Sequence, residues 1–141
     1  MSMIKATVIA IGCAAAATWS GGAQAQATYF PHPDGLPFSE AVQVGDILYL
    51  SGQIGVAPGT TVLVPGGIEA EARQTLDNIG AVLARRGLGF DAVVKCTVML
   101  ADMADWPAFN AVYRRYFRSD RLPARSAFGA TPNCASAAPS R

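Results

Sequence analysis

Two stretches of helical periodicity, each bracketed by short β-forming runs, set the strongest limit on how this chain folds. From Ile68 to Arg86 the apolar residues Ile68, Ala72, Leu76, Ile79 and Leu83 recur at three- and four-residue spacing, which aligns them as one stripe on a helix. Glu69 and Glu71 fall in its first turn and Arg85 and Arg86 in its last, the signs the helix dipole favours, and Gly87 follows as a natural stop. Trp106, Phe109, Val112, Tyr113, Tyr116 and Phe117 form a second stripe, which predicts a helix from about Asp105 to Phe117 with Asp102 placed to cap it. Helical spacing makes core packing the favoured use of these aromatics. Arg114, Arg115, Arg118 and Arg121 between and after them read as a solvated face rather than a nucleic-acid patch.

The intervening runs have strand character. Phe38 to Val44 alternates, Gly45-Asp46 follows as a turn, and Ile47 to Leu50 is rich in β-formers, so the two read as a hairpin. Ser51 to Ile54 continues the second strand, where Gly52 marks a bulge or a close backbone approach. Val93 to Leu100 predicts a third strand and Pro123 to Phe128 the start of a fourth. Thr28 to Pro37, with three prolines and a glycine, reads as an extended lead-in, Val56 to Gly67 as a loop, and Ala130 to Arg141 as an irregular tail. The predicted order β-β-α-β-α-β gives an α+β architecture, with two helices on one face of a mixed sheet. The other face stays open, and a chain this size closes such a face against another copy of itself.

The N-terminus does not belong to that fold. Met1 to Lys5 is short and basic, Ala6 to Ala17 is apolar, and Ala23 to Ala27 carries overlapping A-x-A sites, the three parts of a secretory signal peptide. The apolar run falls short of the ~20 residues that span a bilayer. Cleavage fits after Ala25 or Ala27, which places the product in the periplasm or outside the cell, with no membrane attachment once the leader is gone. Removing 27 of the 141 residues leaves 114, enough for one modest core. The expected division is 1–27 signal peptide, 28–129 domain and 130–141 tail. The leader holds one of the 11 basic residues and none of the 10 acidic ones, so the mature chain is neutral and gives no electrostatic argument for nucleic acid. Cys96 and Cys134 either pair or remain separate, Cys96 then being a small buried hydrophobe. A single histidine, His32, with no cysteine cluster, argues against a zinc site and against a Ser-His-Asp triad.

Several stretches together resemble the RidA family, also called YjgF or endoribonuclease L-PSP-like. They are Phe38-Ser39-Glu40-Ala41-Val42, Gly45 with Leu48 to Ile54, Ala72 to Ile79, Val94 to Val98, Phe109 to Tyr113, and Pro123-Ala124-Arg125-Ser126. The likeness covers about Phe38 to Phe128 in order. It implies a chorismate-mutase-like α+β fold, a homotrimer with sheets packed inside as a barrel, and small-molecule clefts between subunits. It also implies hydrolysis of reactive 2-imino and enamino acids to 2-keto acids and ammonia, with no metal or organic cofactor. Arg125 stands at the family's arginine position, where a guanidinium fork binds a planar carboxylate bidentately. Ser51, backbone groups near Gly52 and Ala127, and Asn110 are the other expected substrate-binding positions. Phe38 stands where many relatives have tyrosine.

The departure is at the end. Deaminating relatives have a final valine- and isoleucine-rich strand with a water-positioning glutamate, whereas this sequence has no acidic residue after Asp120 and that strand looks to be missing. No catalytic residue is therefore assigned, and a shifted reading frame would account for the tail. Two functions follow: imine/enamine deaminase, or a protein of the same fold that binds small carboxylates without turnover. A nucleic-acid role is not expected, given the neutral charge and the leader.

Overall fold

In a computed structural model, residues 26–130 are described, and they form five strands and two helices in an α+β arrangement. The leader up to residue 25, the tail from 131, Cys134 and the question of a final strand lie outside these residues. The helices settle close to their periodicity: α1 spans Gly67–Ala84 and α2 spans Trp106–Tyr113. Helix α2 is shorter than the stripe implies. Beyond Tyr113 the chain continues as turns, with Arg115 N–H donating to Val112 O and Tyr116 N–H to Tyr113 O, so Tyr116 and Phe117 pack from a tightening turn. Asp102 does cap, one turn early: its Oδ1 accepts from Ala104 N–H at 2.8 Å and starts the 3₁₀ turn Met103–Asp105.

The hairpin is present as β2 (Ser39–Val44) and β3 (Ile47–Leu50), joined by Gly45-Asp46. The lead-in corrects one expectation. Ala27–Pro31 is a strand, β1, paired antiparallel with β2 from Ala27↔Val44 to Phe30↔Ala41. Prolines dominated that stretch as a signal, but Tyr29 and Phe30 precede them, and Pro31 ends the strand at a register shift. Strand β3 stops at Leu50, and Ser51 to Ile54 leave the ladder. Gly52 makes no close approach. Gly55 does: a Cβ there would lie 2.7 Å from the Glu71 Cα on α1, so no larger residue fits. Asn78 of α1 holds the same loop by donating to Ile54 O and Val56 O.

Strands β4 (Lys95–Leu100) and β5 (Ala124–Gly129) pair in parallel, with Cys96 opposite Arg125 and Val98 opposite Ala127. Parallel neighbours need a crossover, and α2 supplies it. Among the described residues the strands form two ladders, β1-β2-β3 and β4-β5, rather than the single mixed sheet expected. The main core lies between α1, α2 and β4: Ala72 and Leu76, Phe109, Val112 and Tyr113, and Val98 and Leu100, closed by Phe117. Burying a large apolar side chain contributes about 1.5–3 kcal/mol, so this cluster holds both helices against β4. Alternate residues face away and remain in water. Tyr29, Ile47 and Tyr49 on one ladder and Met99 and Phe128 on the other are about half exposed or more, an apolar sheet surface as anticipated.

Candidate functional site

Three α2 residues fall on one side of the helix by spacing alone: Trp106, Asn110 and Tyr113 stand at i, i+4 and i+7. Arg125, second residue of β5, projects toward that side, because its neighbours Ala124 and Ser126 alternate to the opposite face. Its guanidinium carbon lies 4.5 Å from the Trp106 ring centre and 4.4 Å from that of Tyr113. Two ring faces therefore fix the plane of the fork by cation–π contact. Trp106 is itself held, stacked on Phe109 at 5.8 Å with ring planes 18° apart.

Asn110, Tyr113, Arg114, Leu122, Pro123 and Arg125 line one shallow depression of about 280 Å³. Its polar atoms are incompletely satisfied. Arg125 Nη1, Asn110 Oδ1 and the Tyr113 hydroxyl are buried without a hydrogen-bond partner, three of only four such side-chain atoms among the described residues. Each orphan costs about 1–3 kcal/mol in folding, and three gathered at one depression point to a missing polar group. Burial pushes the Tyr113 phenol well above its ordinary range, with the neighbouring Cys96 thiol adding to the effect and Arg125 opposing it. Tyr113 thus stays a neutral hydroxyl. The site presents one cationic fork, one hydroxyl that donates and accepts, and one amide, the complement of a small planar carboxylate bearing a further polar group.

The expected site residues divide. Asn110 and Arg125 meet in this depression. Ala127 lies two residues along β5 from Arg125, and its methyl packs on the core rather than the depression. Phe38, Ser51 and Gly52 gather at the open end of the β2–β3 hairpin and do not line it. There the Phe38 ring packs edge-on against His32 at 5.3 Å, and Ser51 Oγ donates to Ser39 O at 2.6 Å. A Cβ on Gly52 would meet open space. Trp106 and Tyr113 escaped the sequence reading as site residues because their apolar stripe gave them to the core. Their spacing from Asn110 is the signal that marks them. Among the described residues, no three His, Cys, Asp or Glu side chains cluster as metal ligands, and no helix is long and apolar enough to cross a membrane. Among the described residues Cys96 forms no disulfide.

The sequence pattern of the endoribonuclease L-PSP family matches residues 32–133. The chain belongs to this family. The L-PSP chain is 49% identical over 92 residues to a mouse 2-iminobutanoate/2-iminopropanoate deaminase and 50% identical over 92 residues to that of goat. Each alignment covers 65% of this chain and 67% or 66% of the relative, so the chain spans about two thirds of the length of the curated relatives it matches. Among solved structures, RidA from an Antarctic Psychrobacter superposes with a TM-score of 0.64 at 34% identity, covering 77% of this chain and 85% of that one. The YjgF gene product of E. coli gives 0.61 at 35%, covering 67% and 76%. The RidA/YjgF resemblance and the α+β fold of the L-PSP chain are thereby established.

Proposed function

We propose that this protein hydrolyses 2-imino acids to 2-oxo acids and ammonia, with the substrate carboxylate held by Arg125. The observation that carries the proposal is the arginine fork itself: set against two rings, with Nη1 buried and no acidic partner among the described residues. A carboxylate arriving with the substrate supplies the missing partner. It fixes the adjacent C=N carbon in one orientation, which lowers the entropy cost of attack. Water then adds across the C=N bond, its oxygen to carbon and one proton to nitrogen; the remaining hydroxyl proton passes to nitrogen as the C–N bond breaks, the C=O bond forms, and ammonia leaves. Nothing is oxidised or reduced. The printed activity of the mouse and goat relatives agrees with this chemistry.

Two structural supports extend the proposal. The exposed apolar sheet residues Tyr29, Ile47, Tyr49, Met99 and Phe128 suit burial against further copies, as in a trimer whose clefts unite the Arg125 depression of one copy with the Phe38, Ser51 and Gly52 group of another. For an exported protein, the pairing of Ala27 with Val44 favours cleavage after Ala25 over Ala27, since the latter removes the first residue of β1. A second function, carboxylate binding without turnover, is favoured by one observation: among the described residues no Asp or Glu lines the depression to orient water.

The test is to generate 2-iminobutanoate with an amino-acid oxidase and follow release of 2-oxobutanoate. Acceleration over buffer supports deamination. Binding of 2-oxobutanoate with no acceleration supports the second function, and the absence of both acceleration and binding removes the two functions together.

A further inference from the structure

Beyond Leu122 the depression at Arg125 adjoins a second hollow of about 290 Å³, walled by Arg114, Phe117, Ser119 and Leu122. Arg114 and Leu122 line both, so a substituent of a molecule anchored on Arg125 enters the second hollow by passing over these two side chains. Their chemistry differs. The first offers a fork, an amide and a hydroxyl, and the second offers the Phe117 ring, the Leu122 side chain and the aliphatic stem of Arg114. Leu122 is 57% exposed, an aliphatic group left in water at the mouth of a polar site. Covering it with an apolar substituent is favourable.

Size narrows the occupant. The hollow is many times the ~10–15 Å³ that a single water needs. A methyl or ethyl substituent leaves most of that space wet, whereas an isobutyl or benzyl group fills it against Phe117 and Leu122. We propose that this hollow takes the substrate's side chain, and that the protein prefers 2-imino acids with branched aliphatic or aromatic side chains over the propanoate and butanoate imines. This rests on the carboxylate role given to Arg125.

Each methylene newly buried is worth roughly fourfold in affinity, so two carry a preference of roughly tenfold or more. The experiment measures kcat/KM of the full mature protein for 2-iminopropanoate, 2-iminobutanoate, 4-methyl-2-iminopentanoate and 2-imino-3-phenylpropanoate, in wild type and in Ser119→Trp, whose indole fills the second hollow. Ser119 lines that hollow and not the depression at Arg125, and it is exposed, so the variant keeps the core intact and a thermal melt confirms it. The larger imines should be turned over at least roughly tenfold more efficiently, and Ser119→Trp should remove that advantage while leaving the propanoate imine within about twofold. Turnover of the small imines with no preference for the large ones overturns the proposal and leaves deamination standing. If no imine is hydrolysed, calorimetry decides: 4-methyl-2-oxopentanoate binding tighter than pyruvate, and losing that margin in Ser119→Trp, supports the side-chain site. Equal affinity, or no binding of either, overturns it.

Discussion

The molecule holds arginines against aromatic rings in two places, and they differ in what completes them. At the C-terminal end of α1, Arg86 lies 3.8 Å from the Phe30 ring centre, and Arg85 and Arg86 both reach Glu40 of β2. Glu40 is 2% exposed, yet two guanidinium groups meet its carboxylate, so its charge is buried with compensation supplied by the chain itself. At the other place, Arg125 is clasped by Trp106 and Tyr113, and no carboxylate among the described residues reaches it. The first arrangement ties a helix end to a strand. On the proposed function, the second leaves the corresponding place for an external carboxylate, and the origin of the acid separates the two arginines.

Breaking each pair tests the distinction. The largest effect belongs to Arg125→Ala, which should lower kcat/KM on 2-imino acids by roughly 10²–10³-fold while leaving the melting temperature nearly unchanged. Arg125→Lys should recover little, because a point charge does not reproduce the bidentate fork. Glu40→Ala should do the reverse. It strands Arg85 and Arg86 and costs about 2 kcal/mol of stability, less than a fully buried pair because Arg85 is half exposed. Denaturant unfolding measures this loss, and a wild-type midpoint would show that the pair is incidental.

Tyr113→Phe sharpens the account of the orphaned atoms. Removing a hydroxyl that has no partner should leave stability equal or slightly higher, while losing about tenfold in kcat/KM. A marked loss of stability would mean that the hydroxyl serves the fold. The smaller effects are electrostatic. Burial pushes the Tyr116 phenol up to about 12, with Asp77 adding through the hydrogen bond it accepts at 2.8 Å. The folded state thus favours the protonated phenol. Its stabilisation is intact below about pH 10 and is lost as pH rises toward about 12, so the melting temperature should fall over that interval, and less steeply in Tyr116→Phe. Arg118→Ala should leave the denaturant midpoint unchanged, because its pairing with Asp120 lies wholly at the surface.

Both helices, the β2–β3 hairpin and strands β4 and β5 were legible in the sequence, because each carries its own period or turn chemistry. Strand β1 was not. Its apolar pair Tyr29-Phe30 is too short to outweigh the following prolines, and only the edge of β2 gives it a partner. The end of α1 was half legible. Arg85 and Arg86 suit the helix dipole, but Arg85 is the cap residue and both side chains turn to Glu40, 45 and 46 positions away in sequence, a contact no local pattern encodes. The same holds at the site. Arg125 and Asn110 were readable through their motif context, whereas Trp106 and Tyr113 carry ordinary core chemistry and gain their second role from where β5 brings the guanidinium. Phe38, Ser51 and Gly52 remain apart from that depression in one chain, which is why a shared cleft is a question of assembly rather than of fold.

On the proposed function, Arg125 awaits a carboxylate from outside the chain. Calorimetric titration of 2-oxobutanoate into the wild type and into Arg125→Ala tests it without requiring turnover. The account predicts binding at one site per chain in the wild type, weakened by roughly a hundredfold in the variant. Equal affinity in the two proteins would contradict it.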